Sequence, residues 1–301
     1  MKKFCISVCL SLLCMKGLAA TKPVILYSDP YQYVTALSAN GKWACGTLND
    51  GTGSLVAFVW NLESNELKSL GTGTIAYGIS NNGVVVGSYP DSEASTNGAE
   101  VTSAGYWSDG KWHHLELPNG LKYTNSDASS IANCISPDGR FIGGSIYSAT
   151  GLYSPVIWDN GKFARDLSGG YAGSVYAVTD DGSKAGGWTY TKESGSTRIT
   201  VMWDEEGNRH FLTDNISHGS PYFAIQKFST DGNIALMNKV CMTLQQEKLQ
   251  QFLLSTLTSG DLFFMISATA FLLLVMSRLP MALSSLSSIR TARHRSWKTI
   301  L

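Results

Sequence analysis

The sequence predicts an all-β fold, a β-propeller of four-stranded antiparallel blades. Five repeats are present in an incomplete ring, followed by a C-terminal tail that does not look native to it. Three observations predict this. The 301 residues include 30 Gly, 13 Tyr, 11 Phe and 8 Trp, a composition suited to many short strands joined by tight turns. One short motif recurs five times, and a tryptophan signature follows each of the first four copies. Hydrophobic residues at 44% exclude a disordered chain. Charge is sparse at 15% and balanced, 23 basic against 23 acidic, so no electrostatic footprint for nucleic acid or anionic lipid is present.

Residues 1–20 read as a secretory signal peptide. Lys2 and Lys3 form the positive start, Phe4 to Cys14 the apolar run, and Gly17-Leu18-Ala19-Ala20 the small-residue exit. The apolar run is too short to span a bilayer. Cleavage after Ala19 or Ala20 is expected, with a secreted, periplasmic or cell-surface destination. Lipidation is disfavoured because no small residue stands just before Cys5, Cys9 or Cys14. These three cysteines leave with the signal, so Cys45, Cys134 and Cys241 remain, too few for a disulfide framework. Cys45 and Cys134 sit in apolar runs and read as buried structural thiols.

Residues 21–240 carry the repeats. Each unit is an apolar residue, Ser or Thr, two residues, Gly, then a short apolar run. The copies centre on Ser38 and Gly41, Ser80 and Gly83, Ser136 and Gly139, Thr179 and Gly182, and Ser229 and Gly232, spaced 42, 56, 43 and 50 residues apart. Trp60, Trp107, Trp158 and Trp203 head the second signature. Asn-Gly and Asp-Gly supply the positive φ angles of hairpin turns, so each half-repeat is strand–turn–strand. Two hairpins make one four-stranded blade. The glycine closing the second strand marks a bend or a close backbone approach. The tryptophans are expected at equivalent, largely buried positions between sheets. A β-sandwich also has short strands and frequent turns, but it does not need one motif five times.

The Ile-Ser-x-Asn/Asp-Gly…Trp pattern resembles the HAF-type extracellular repeat family. Ile135-Ser136-Pro137-Asp138-Gly139 also resembles the PD40/TolB-type propeller repeat. Five copies cover about residues 33–240. The resemblance implies a propeller fold and export. It brings no active-site residues, because the motif consists of turn and core positions.

Residues 241–301 break the pattern. One reading is a transmembrane tail around Leu262–Met276, about 15 residues where a spanning helix needs roughly 20. A second is a helical interaction tail. A third, which explains more, is the next blade read out of frame. Joining the third base of each codon to the first two of the next, Cys241/Met242 encodes only Tyr or His, and Met242/Thr243 only Asp. Phe264/Met265 and Met265/Ile266 give the same two outcomes. Both pairs fall where the repeat wants them. A single-base deletion near codon 240 would produce this frame. Residues after Val240 are then expected to complete no sheet, since their pattern was never selected against this fold.

No Cys-x-x-Cys, His-Glu-x-x-His, Gly-x-Ser-x-Gly, P-loop or dinucleotide fingerprint occurs. The sequence therefore nominates no catalytic, cofactor-binding or metal-ligating residue. His113 and His114 alternate across a strand and read as a solvated edge pair. His210 and His218 have no partner motif, and Asp180-Asp181 precede Gly182 as turn residues. Asn49–Gly53 and Asp91–Thr102 are long polar loops able to form a binding surface. Tyr89, Trp112, Tyr147, Tyr153, Trp188 and Tyr190 could stack on sugars, though packing between blades is the plainer use. The expected function is a non-catalytic binding or interaction module with a protein or glycan ligand. Two alternatives stand: a propeller lyase or glycosidase acting on extracellular polysaccharide, and a membrane-tethered propeller. An enzyme would bring carboxylates, or His, Tyr and Arg, together in the central funnel; a lining of Ser, Thr and Gly would count against it.

Overall fold

The computed structural model describes residues 33–49, 52–123, 129–147, 151–192, 197–212, 224–237, 240–243 and 250–253. The signal segment 1–20, His218 and residues 254–301, with the apolar run 262–276, lie outside them. Among the described residues no helix is long and apolar enough to cross a membrane.

Among the described residues twenty strands form five antiparallel four-stranded sheets, each a meander in sequence order. Blade 1 holds β1 (Tyr33–Leu37), β2 (Trp43–Asn49), β3 (Leu55–Asn61) and β4 (Glu66–Thr72). Blade 2 holds β5 (Ile75–Ile79), β6 (Val85–Asp91), β7 (Val101–Ser108) and β8 (Lys111–His114). Blade 3 holds β9 (Ser130–Ile135), β10 (Phe141–Tyr147), β11 (Tyr153–Asp159) and β12 (Lys162–Asp166). Blade 4 holds β13 (Gly173–Val178), β14 (Ala185–Thr189), β15 (Ile199–Trp203) and β16 (Arg209–Phe211). Blade 5 holds β17 (Ile225–Phe228), β18 (Ile234–Met237), β19 (Val240–Thr243) and β20 (Gln250–Leu253). The first strands pack on one another and so run along the axis. Four apolar clusters fill the four spaces between consecutive blades. The protein is a β-propeller whose core lies between sheets, not within one.

The recurring Ser or Thr closes the turn between the first two strands of each blade. Ser136 Oγ donates to Asp138 Oδ1 (2.6 Å) and accepts from Phe141 N (2.9 Å). Ser38, Thr179 and Ser229 repeat both bonds with Asn40 and Trp43, Asp181 and Lys184, and Asp231 and Ile234. The following glycine has φ of 71°, 79°, 89°, 72° and 65° in blades 1 to 5. Only the glycine is left-handed here, since Asn40, Asn82, Asp138, Asp181 and Asp231 are not. Two positive φ angles occur instead in the outer hairpins, at Asp109-Gly110 and Asn160-Gly161, the signature of a type I′ turn. The turns also join blade to blade. Asn40 N donates to Asn81 Oδ1, Asn81 N to Pro137 O, Arg165 Nη2 to Gly182 O and Lys184 Nζ to Gly232 O.

Each first strand carries a β-bulge at one equivalent residue: Thr35, Tyr77, Asn133, Tyr176 and Gln226. The bulge turns the carbonyl two residues earlier toward the second strand. A Cβ on Gly46, Gly87, Gly144 or Gly187 would collide with the carbonyl oxygen of Tyr33, Ile75, Ile131 or Ser174. These glycines are therefore the backbone partners of the bulges. In blade 5 the register puts Met237 there. Its first strand is the shortest of the five and starts at Ile225, one residue after the carbonyl that would collide.

The tryptophans occupy one register position, opposite Ala44, Val85, Ile142 and Ala185, but their burial differs. Trp158 and Trp203 are fully buried, with indole N–H bonds to Glu116 O (2.8 Å) and Leu167 O (3.0 Å) of the preceding blade. Trp60 and Trp107 are only half-buried. No described blade precedes Trp60, and Tyr33, Val34, Leu55 and Leu67 of blade 1 are exposed as well. In blade 2 the bond to the preceding blade comes from Trp112, whose Nε1 reaches Leu70 O at 2.8 Å, and Trp107 lies under Lys68 instead.

The expectation that nothing after Val240 completes a sheet does not hold. Residues 241–243 extend β19 and 250–253 form β20, so both outer strands of blade 5 use this stretch. Backbone pairing asks little of side-chain pattern in an outer strand. The register sets Met242 opposite Ala235, the place of tryptophan in the other four blades.

Candidate functional site

The bulged residues are the groups that the fold presents along its axis. Thr35, Tyr77, Asn133, Tyr176 and Gln226 are all half-buried, while the residues before Tyr77, Asn133, Tyr176 and Gln226 are buried. Thr35 Oγ1 donates to Ala76 O (2.9 Å) of the next blade, and Asn133 Nδ2 donates to Val175 O (2.9 Å) and Ser174 Oγ (2.8 Å). Tyr77 and Tyr176 belong to blades that are not neighbours. The Tyr77 phenol is nevertheless raised, first by burial and then by Tyr33 and Tyr176. Tyr33 of blade 1 and Tyr176 of blade 4 thus lie within electrostatic reach of Tyr77. Lys227, next to Gln226 and exposed, lies within electrostatic reach of Cys45, Cys134 and Asp180 in three other blades. Cys45 and Cys134 are buried free thiols, each pushed up to about 12 chiefly by burial.

The motif's acidic residues serve the turns. Asp181 is held at about 2 by the Ser183 amide, then by the Thr179 and Ser183 hydroxyls. Asp180 is raised, first by burial, then by Asp138 and Asp181, with Lys227 opposing. Asp138 lies within electrostatic reach of Asp180, although it is exposed and its Oδ1 is engaged by Ser136 and Arg140 N.

Six aromatics singled out in the sequence form three pairs, one each in blades 2, 3 and 4. Tyr89 and Trp112 stack at 5.4 Å, and Tyr147–Tyr153 and Trp188–Tyr190 meet edge-on at 5.2 and 5.3 Å. The pairs form within blades, and Trp112 and Tyr147 also pack against the clusters between blades. His113 and His114 are not a solvated pair either. His113 stacks on Tyr106 at 4.7 Å and its Nε2 is buried without a partner. His114 Nδ1 lies 2.8 Å from Asp91 Oδ2, which also accepts from Tyr89 OH at 3.0 Å. Burial alone would raise Asp91, but the bonds from His114, Tyr89 and the Glu93 amide prevail and hold it at about 2. His114 borders a cleft of about 530 Å³ that Glu93, Glu116, Lys122 and Lys162 also line. The loop 91–102 is tied down there, Ala94 and Thr96 exchanging backbone bonds with Tyr123. Asp91 and its two partners carried no motif; only the i, i+2 spacing of Tyr89 and Asp91 on one strand face hinted at them. His210 pairs with Asp204 at 2.9 Å on the surface. Part of Asn49–Gly53 lies outside the described residues.

Axis and blades together place the chain among the β-propellers. No family model and no curated protein matches it. Among solved structures it is similar to TolB from Acinetobacter baumannii, with 16% identity, 72% of this chain and 52% of that one covered, and a TM-score of 0.44. It is also similar to the β-propeller domain of the Trilobed protease from Pyrococcus furiosus, with 12% identity, 74% and 71% covered, and a TM-score of 0.43. The chain spans about half the length of the first. At these identities the likeness concerns the fold alone.

Proposed function

We propose that the protein is an extracytoplasmic, non-catalytic binding module built from HAF-type repeats. The observation that carries this reading is the set of axial groups. Thr35, Tyr77, Asn133, Tyr176 and Gln226 offer rings, amides and a hydroxyl suited to binding, and no carboxylate or histidine is among these five. Residues 1–20 support export. Fractionation should find the protein outside the cytoplasm, with a mature N-terminus at Ala20 or Thr21, and no new reducing ends when it is incubated with surface polysaccharide. A soluble product in that fraction also disposes of a membrane tether at 262–276.

One observation favours the enzyme reading, the raised carboxyl of Asp180 near Asp138 and Lys227. Polysaccharide cleavage abolished by Asp180→Asn would establish it. We further propose that residues from about 240 onward are read out of frame. The place of Met242 supports this, because the shifted frame puts Tyr or His followed by Asp where other blades have Trp60-Asn61, Trp158-Asp159 and Trp203-Asp204. The nucleotide sequence around codon 240 decides it. The in-frame protein would carry at least a sixth blade, within the usual range for propellers.

A further inference from the structure

The blades follow one plan, and their departures from it gather at one place. At the bulge, blades 1 and 3 carry Thr35 and Asn133, which donate to the first strand of the next blade. Blades 2 and 4 carry Tyr77 and Tyr176 there. Just after the second-strand glycine, blades 1 to 3 have the small buried Thr47, Ser88 and Ser145. Blade 4 has Trp188, 9% exposed, whose Nε1 lies 3.3 Å from Tyr176 OH. Arg198 covers the Trp188 ring at 4.1 Å and Tyr190 meets its edge. Trp188 is thus held by Arg198 and Tyr190 and donates to the Tyr176 phenol. Tyr77 holds the equivalent bulge of blade 2, and Tyr176 and Tyr33, the latter 51% exposed, lie within its electrostatic reach. Departures from a structural repeat that cost packing regularity and converge are the mark of a functional locus.

We infer that Tyr33, Tyr77 and Tyr176 form an axial subsite for an oligosaccharide, with Trp188 as its positioning residue. This rests on the binding-module reading above. A pyranose has an apolar C–H face and a rim of hydroxyls. Phenols match both, the ring to the face and the O–H to the rim. The Asn133 side-chain oxygen, held by the two bonds of its Nδ2, adds an acceptor, and the half-buried Gln226 amide adds a donor and an acceptor. An extended peptide would instead need a free strand edge or apolar pockets, and the five bulged residues provide neither.

Calorimetric titration of the protein with cellohexaose, chitohexaose and tri-galacturonate tests the assignment, with deca-proline as the peptide probe. Binding of at least one sugar is expected. Tyr77→Ala and Tyr176→Ala should each weaken it tenfold or more, Trp188→Phe severalfold while keeping the ring, and Tyr153→Ala less than twofold. Circular dichroism checks folding, and if an alanine variant is unfolded, Tyr77→Phe and Tyr176→Phe decide, each expected to weaken binding at least threefold. Failure of all three sugars to bind, sugar binding indifferent to Tyr77 and Tyr176, or capture of deca-proline alone would each overturn the inference. Release of reducing ends during titration would overturn the non-catalytic reading and leave the subsite standing.

Discussion

Ser136 shows how much one hydroxyl can decide: it donates to Asp138, accepts from the Phe141 amide, and is fully buried. Ser136→Ala should cost about 1–2 kcal/mol, read from urea unfolding, because the amide left behind is unsatisfied. The glycines divide into two kinds by what surrounds them. Gly110 has open space around it and φ of 85°, so Gly110→Ala should cost about 1 kcal/mol. Gly87→Ala would drive a Cβ into the Ile75 carbonyl and should cost about 3 kcal/mol or prevent blade 2 from forming. Asp91 titrates at about 2 in the fold against 3.8 unperturbed. A depressed carboxyl stabilises the fold above its unfolded pKa, and that contribution is lost as pH falls from about 4 toward 2. The loss between pH 7 and pH 3 should be about 1 kcal/mol, and Asp91→Asn should remove it from the pH dependence of unfolding. The turn serines and glycines were legible in the sequence because local bonds repeat with the local motif. Asp91, His114 and Tyr89 were not, since their meeting depends on three strands in register.

Between elements, the indole of one blade bonded to a carbonyl of the blade before it is the recurrent joint. The sequence showed four equivalent tryptophans but not their unequal burial, because burial depends on what precedes each blade and no local pattern records that. Trp158→Phe removes a buried donor from Glu116 O and some volume, and should cost about 2–3 kcal/mol. Trp60→Phe, on the half-covered face of blade 1, should cost less than about 1 kcal/mol by the same measurement. Equal losses would mean that Trp60 is covered by a part of the chain outside the described residues. The bulges were equally illegible, although the second-strand glycine was read as a close approach. The carbonyl it must clear becomes visible only once the strands are paired.

On the scale of the molecule, the main packing between the described blades is between sequence neighbours, which makes stability close to a sum over blades and interfaces. Blade 5 was expected to end at Val240, yet β19 and β20 complete it. Truncation after Val240 should therefore lower the melting temperature below that of a chain truncated after Leu253, because it removes most of β19 and all of β20. Thermal unfolding of the two shortened chains checks this. The five-blade plan was read from the repeat period. The outer strands of blade 5 escaped that reading because their side-chain pattern differs from the others even though their backbone pairs the same way.

The carbonyl that receives each indole lies 36 to 42 residues upstream of the tryptophan, at Leu70 for Trp112, Glu116 for Trp158 and Leu167 for Trp203. A chain threaded through a membrane amino end first therefore delivers every acceptor before its donor. Each of these newly emerged indoles finds its acceptor carbonyl already in place. Assembly of such a chain can keep pace with its emergence, one blade at a time, and the time an apolar sheet face between blades spends bare is set by the passage of about one repeat.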